Sequence, residues 1–172
     1  MHKKIAFIGS VGSGKTTLIE NLSSIETLKT DVKTSVEIGK ESTTVGIDYG
    51  HVVIDSETTL GLYGVPGQRK FSLVWDFVKK GLWAVVILVK NNDLASIDEI
   101  DYLVNYFEIN QGVPCVIGIT HSDLTDGGQT LTQVRNKLID LKLKVPVYTI
   151  DCRLSASARL IMETIIAIDE SV

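Results

Sequence analysis

Gly9 to Thr16 reads G-S-V-G-S-G-K-T and fills every fixed position of the phosphate-binding pattern G-x-x-x-x-G-K-[ST]. Each residue type has a job in holding a polyphosphate. Glycines let successive backbone N–H groups turn inward around phosphate oxygens. Lys15 adds a cation that reaches the β- and γ-phosphates, and the Thr16 hydroxyl is an oxygen ligand for Mg²⁺. Gly9, Val11, Gly12, Ser13, Gly14, Lys15, Thr16 and Thr17 are the expected nucleotide contacts. The plainer alternative is a glycine-rich turn before a helix.

Such a loop works only where a strand delivers it and a helix follows it, so that the positive helix end faces the same anion. The apolar run Ile5-Ala6-Phe7-Ile8 precedes it, and Leu18, Ile19 and Leu22 follow at helical spacing. Six apolar runs read as strands, at about 3–9, 44–54, 58–64, 82–90, 113–120 and 145–151. Helical patterns lie between most of them, at 16–24, 68–80, 96–109, 130–141 and 154–169. Alternating strands and helices imply crossovers on a mostly parallel sheet. The exception is 44–64, where two alternating runs flank the turn Asp55-Ser56-Glu57-Thr58 and should pair as an antiparallel hairpin. The expected fold is a three-layer α/β domain, a mostly parallel six-stranded sheet with one antiparallel edge hairpin. Residues 26–43 read as the most loop-like stretch, and Gly127-Gly128 mark another loop.

At 172 residues the chain suits one domain, 1–172. With 44% hydrophobic and 22% charged residues it has little room for disorder. A net charge of −4 with no long basic run argues against general nucleic-acid binding, though not against a local nucleotide site. Cys115 and Cys152 sit in apolar segments without metal-ligand spacing and read as free thiols in a reducing compartment. The longest unbroken apolar stretch, Leu82 to Val89, is too short to span a bilayer. Neither a signal peptide nor a lipidation site is expected, so the expected location is cytoplasmic and any membrane association would need a partner. His2, His51 and His121 are too scattered to suggest a metal site.

Three further segments narrow the chemistry, and with them the chain resembles the small Ras-like GTPases of the P-loop NTPase class. Thr44-Val45-Gly46 resembles the switch I motif T-I-G, whose threonine closes on Mg²⁺ and the γ-phosphate. A threonine that merely starts a strand is the bland reading, and Thr43 is an alternative switch residue. Tyr63-Gly64-Val65-Pro66-Gly67-Gln68 resembles the switch II motif D-x-x-G-Q. By that resemblance Gly67 donates its amide to the γ-phosphate and Gln68 orients the attacking water. The motif's aspartate, which holds Mg²⁺ through a water, falls on Gly64; Asp48, or waters alone, would have to stand in. The V-P-G-Q version, with T-T-V-G-I-D-Y-G before it, is similar to a prokaryotic branch. That branch includes the gliding-motility polarity GTPases and relatives of the signal-recognition-particle receptor β-subunit.

The base-reading motif N-K-x-D is represented by Thr120-His121-Ser122-Asp123. A carboxylate at Asp123 suits guanine, because it accepts from both N1–H and the 2-amino group. Asp123 also reads as a helix cap or turn residue. Thr120 replaces the asparagine, and His121 replaces the lysine that stacks over the base. Asn91-Asn92-Asp93 competes as a base motif but follows the wrong strand. Asp151-Cys152-Arg153 occupies the place of the S-A-K loop, where the Cys152 amide would meet the guanine carbonyl; a buried thiol is the equal alternative. Arg69 and Lys70 read as solvated switch residues, and Arg153 and Arg159 as surface charges. Phe71 and Trp75 read as core, or as an aromatic partner surface beside the switch.

The resemblance implies a molecular switch that binds GTP or GDP with Mg²⁺ and hydrolyses GTP, with Lys15 and Gln68 as the catalytic pair and Thr16 and Thr44 as metal ligands. Residues 25–50 contain no arginine. Hydrolysis is therefore expected to be slow without a GTPase-activating protein, since an arginine finger is worth about 10³–10⁵ in rate. An activating or effector protein would dock at the switches. Two other readings stay open: a degenerate module that binds nucleotide and barely turns over, and a P-loop ATPase or kinase. Residues 110–134 lack the arginines of a kinase lid.

Overall fold

The apolar run that leads into the phosphate loop lies at the centre of a seven-stranded sheet in the computed structural model, which describes residues 2–34, 43–123 and 128–171, and the side chains of all of these except 30–34 and 43–45. β1 (His2–Gly9) pairs in parallel with β4 (Thr59–Pro66) on one side and β5 (Leu82–Lys90) on the other. β6 (Cys115–Thr120) and β7 (Val147–Thr149) continue the parallel part beyond β5. Beyond β4 come β3 (Thr43–Val53) and β2 (Leu28–Thr34), for the order β2-β3-β4-β1-β5-β6-β7. β3 alone runs against its neighbours, antiparallel to both β4 and β2.

Strand alternation splits the core in two. Ala6, Ile8, Val85, Ile87 and Val89 face one side, under α2 (Ser72–Lys79), α3 (Leu94–Asp98), α4 (Ile100–Tyr106) and α5 (Gly128–Asp140). Ile5, Phe7, Ala84, Val86 and Leu88 face the other, under α1 (Lys15–Leu22) and α6 (Ser155–Glu170). Both faces of β1 and β5 are covered, which is why these strands read as unbroken apolar runs. Each fully buried aliphatic or Phe side chain contributes about 1.5–3 kcal/mol.

The three-layer α/β architecture and the antiparallel pairing of β3 with β4 agree with the sequence. Their connection is closed by Asp55, whose Oδ1 accepts from the amides of Glu57 (2.8 Å) and Thr58 (2.7 Å). The strand count differs: β2 lies inside the stretch expected to be a loop. Its sequence, LKTDVKT, alternates apolar or hydroxyl residues with charged ones. That pattern suits an edge strand, where charge protects an open edge, and lacks the apolar run that marks a buried strand. Residues 35–42 of that expected loop, and Gly127 of the later one, lie outside the described residues; Gly128 opens α5. The helix expected over 68–80 is a 3₁₀ turn, Arg69–Phe71, followed by α2, and that expected over 96–109 is divided between α3 and α4.

Candidate functional site

The phosphate loop runs between β1 and α1 in the conformation its glycines demand. Gly14 has φ +103°, and a Cβ there would stand 2.7 Å from Cys152 Sγ. Gly9 has no room either: its Cβ would lie 2.4 Å from Ser13 Oγ and 2.7 Å from the Leu88 carbonyl. Lys15 Nζ folds back to donate to the carbonyls of Gly9 and Ser10, both at 2.9 Å. Burial lowers its pKa to about 8, against the opposing pull of the Asp48 carboxylate.

Val11, Gly12, Gly14, Lys15, Thr16 and Thr17 line a cavity of about 370 Å³, closed on the far side by Gly46, Asp48, Gly64, Pro66 and His121. The Thr16 hydroxyl donates to Asp48 Oδ2 at 2.5 Å. Hydroxyl and carboxylate oxygens this close form a donor set that fits a hard cation such as Mg²⁺. Among the described residues, no group of three or more His, Cys, Asp and Glu side chains forms a metal cluster. Thr44 lies in β3 opposite Lys33, and its side chain is outside those described.

Gly14, Thr17 and His121 also border a second cavity, of about 270 Å³, completed by Thr120, Asp123, Asp151, Cys152 and Arg153. The two cavities thus adjoin, and Val11, Gly12, Gly14, Lys15, Thr16, Thr17, Thr120, His121, Asp123 and Cys152 border one or both of them; Gly9 and Gly67 border a further cavity against α3 instead, and Ser13 is buried. Thr120 ends β6 and donates its hydroxyl to the Ser13 carbonyl at 2.8 Å, tying the base side to the phosphate loop. That uses the only proton of the hydroxyl. The 2.9 Å bond between Thr120 Oγ1 and His121 Nδ1 is therefore donated by Nδ1–H. His121 holds φ +61°, a left-handed conformation uncommon for a residue with a Cβ.

Asp123 and the loop after β7 are joined by Arg153. Its Nη2 donates to Asp123 Oδ2 at 3.0 Å and to Asp151 Oδ2 at 2.7 Å. The side chain is 67% exposed, so it is a surface charge as expected, but one that borders the second cavity. The sequence reading missed this role. A cation within the Asp151-Cys152-Arg153 segment was the available signal. Hydrogen bonds from the Arg153 guanidinium and backbone hold the Asp151 pKa down to about 2, and the Asp151 carboxylate, followed by that of Asp123, raises the pKa of Arg153. Cys152 is 7% exposed, and burial followed by the Asp151 charge raises its thiol pKa to about 11. Its carbonyl accepts from Asn21 Nδ2 at 2.7 Å, which anchors the loop to α1.

The residues after β4 lie apart from these two cavities. The Gly67 amide donates to the Gly9 carbonyl at 3.1 Å. Gln68 is exposed and borders a separate cavity of about 140 Å³ against α3. Arg69 is not simply solvated: it pairs with Glu99 at 2.8 Å and lies over the Tyr102 ring at 4.4 Å. Trp75 is fully buried and donates Nε1–H to the Pro66 carbonyl at 2.7 Å, so it belongs to the core and not to a partner surface. Leu73 and Phe77 are the exposed apolar residues of α2. Asp93, in the competing Asn91-Asn92-Asp93 segment, caps α3 by accepting from the Ser96 amide (3.2 Å) and hydroxyl (2.6 Å).

This fold and loop define a class. The chain superposes on the small GTPase Arl6 (BBS3) of Trypanosoma brucei, solved with bound nucleotide analogue GppNp, with a TM-score of 0.68 over 99% of this chain and 97% of that one, at 16% identity. It also matches the G domain of the FeoB iron transporter of T. maritima, with a TM-score of 0.65 over 98% and 99% of the two chains, at 15% identity. The fold is that of a Ras-like G domain. By sequence, the chain is 31% identical over 127 residues, 72% of each protein, to the uncharacterized protein MJ1339 of Methanocaldococcus jannaschii, and it belongs to that protein's family. No protein-family model matches it. No helix among the described residues is long and apolar enough to cross a membrane.

Proposed function

We propose that the chain is a guanine-nucleotide-binding molecular switch, a single G domain over 1–172, that binds GTP and GDP with Mg²⁺ and hydrolyses GTP slowly. The observation that carries this reading is the pair of adjoining cavities, with Val11, Gly12, Gly14, Lys15 and Thr16 of the phosphate loop in one and Asp123 and Cys152 in the other. Lys15 leaves the Gly9 and Ser10 carbonyls to neutralise phosphate charge. Thr16 and Thr44 hold the metal, which when bound screens the charge that develops on the phosphates. Thr120, His121, Asp123 and the Cys152 amide surround the base. The Gly67 amide reads the γ-phosphate, and Gln68 orients water. A cytoplasmic protein partner at the switches, of the kind implied by the resemblance to the gliding-motility polarity GTPases, supplies the missing cationic charge.

The test is calorimetry of purified protein with GDP and ADP in parallel, together with identification of any nucleotide carried through purification. GDP should bind more tightly; tighter ADP binding would end the guanine assignment. GTP turnover near ten per second without a partner, the range of fully assisted enzymes, would end the slow-hydrolysis reading. One observation favours a binder with little turnover: Gln68 borders the cavity against α3 and not the phosphate cavity. In that case Gln68 variants would leave single-turnover hydrolysis unchanged.

A further inference from the structure

Arg153 grips Asp151 with one edge of its guanidinium and leaves part of the other edge open. Nε–H donates to Asp151 Oδ1 at 2.9 Å and one Nη2–H donates to Asp151 Oδ2 at 2.7 Å, a two-point contact that fixes the guanidinium plane. The Arg153 backbone N–H adds a third bond to Asp151 Oδ1, at 3.0 Å. The second Nη2–H donates to Asp123 Oδ2 at 3.0 Å. Nη1 shares an edge of the guanidinium with Nη2, carries two further N–H donors, and has no hydrogen-bond partner among the described residues. Asp123 commits one lone pair of one oxygen to this contact and keeps its remaining acceptor sites. Both residues border the second cavity, together with Cys152. The border of that cavity therefore carries an acceptor, Asp123, next to an uncommitted donor, Arg153 Nη1.

Acceptor and donor side by side suit a different purine edge from a carboxylate alone. Guanine presents N1–H and a 2-amino group, two donors, and a carboxylate meets both with its two oxygens. Xanthine presents the same N1–H beside a 2-carbonyl, a donor beside an acceptor. A bare carboxylate sets oxygen against that carbonyl oxygen and has nothing to donate. Arg153 holds the missing donor, and its grip on Asp151 keeps it at the cavity when Asp123 turns to a base. We propose that Arg153 sets what this site accepts at position 2 of the base: the carboxylate of Asp123 meets a 2-amino group and Arg153 Nη1–H meets a 2-carbonyl, so the ligand class is the 6-oxopurine nucleotides, xanthine with guanine. Position 6 is left to the Cys152 amide, a donor that suits a carbonyl and opposes the 6-amino group of adenine. This rests on the nucleotide-binding reading above and widens its base specificity.

The experiment is calorimetry of the full chain in Mg²⁺ near neutral pH with GDP, xanthosine diphosphate and ADP, for wild type and Arg153→Ala. Wild type should bind xanthosine diphosphate within about tenfold of GDP, the worth of one ordinary hydrogen bond, and ADP more weakly than either. Arg153→Ala should lose about 10- to 150-fold in affinity for xanthosine diphosphate, the range of a hydrogen bond to a charged group. GDP affinity should stay within about threefold, because an exposed ion pair adds little. The GDP-to-xanthosine-diphosphate ratio is the readout, since a merely structural role for Arg153 would move both ligands together. A ratio that rises by less than about tenfold in Arg153→Ala would overturn the proposal. So would wild type that binds xanthosine diphosphate more than about tenfold more weakly than GDP. Loss of both ligands in Arg153→Ala would make Arg153 a tie for the loop after β7 and would overturn it too. In all three cases GDP binding by wild type leaves the nucleotide reading standing. Wild type that binds ADP more tightly than GDP, or binds none of the three, would overturn both.

Discussion

Arg153 holds the Asp123 carboxylate at 3.0 Å across the mouth of the base-side cavity while gripping Asp151 on its other side. Asp123 therefore has a cationic partner before any base arrives. A guanine that recruits Asp123 must either displace Arg153 or share the carboxylate with it.

Replacing Arg153 with alanine removes the guanidinium contacts, the largest cause that holds the Asp151 pKa down to about 2, and keeps the backbone bond. A depressed carboxyl pKa stabilises the folded state above the unfolded value near 3.9 and loses that contribution as pH falls through about 2. In Arg153→Ala the Asp151 titration should move up towards the ordinary carboxyl range, read from carboxyl NMR shifts between about pH 1.5 and 6. An unmoved Asp151 would mean that the backbone bond at 3.0 Å alone sets its acidity.

Asp123→Ala tests base reading directly. A hydrogen bond to a charged group is worth roughly 1.5–3 kcal/mol, so GDP affinity should fall about 10- to 150-fold, with affinity for inosine diphosphate, which lacks the 2-amino group, falling less. Equal losses for the two would show that Asp123 does not read that amino group.

Cys152 should resist alkylation. With a thiol pKa near 11, only about one molecule in a thousand is thiolate at pH 8, and the residue is nearly covered. Iodoacetamide labelling should be slow at pH 7.5, rise steeply above pH 9, and slow further when GDP fills the cavity. Rapid labelling at neutral pH would mean that the loop after β7 opens far more often than its Asn21 anchor implies.

Trp75 joins the end of β4 to α2 and α4. Its ring lies 5.1 Å from Tyr106 and 5.7 Å from Phe107, centroid to centroid, and its indole N–H caps the Pro66 carbonyl. Trp75→Ala should cost about 3–5 kcal/mol in urea unfolding. Trp75→Phe keeps an aromatic ring but loses the Pro66 bond and some volume, and should cost about 1–2 kcal/mol. A loss under about 1 kcal/mol in the alanine variant would show that the pocket around Trp75 collapses on itself.

The parallel half of the fold was legible because burial on both faces leaves a simple trace, the run Ala84 to Val89. β2 left none, since an edge strand such as LKTDVKT is polar by design and its pairing with β3 is a tertiary fact. The phosphate loop was legible because its residues are contiguous. The bonds Arg153–Asp123 and Thr16–Asp48 join residues 30 and 32 positions apart, and no local pattern encodes them. Asp48 was readable only as a possible stand-in for the carboxylate missing at Gly64. Trp75 read as core first and as a partner surface second, because helical spacing does not reveal what lies opposite a helix face.

The Gly9 carbonyl accepts from two groups at once, Lys15 Nζ at 2.9 Å and the Gly67 amide at 3.1 Å. One oxygen thus serves as a common mooring for the cation of the loop and the chain segment after β4. When an incoming anion draws the ammonium away, the oxygen regains electron density and grips the remaining N–H more firmly. When the N–H is drawn away, the ammonium is gripped instead. Release of the first group therefore makes release of the second costlier, so an anion that draws off only the ammonium leaves the segment after β4 more firmly held.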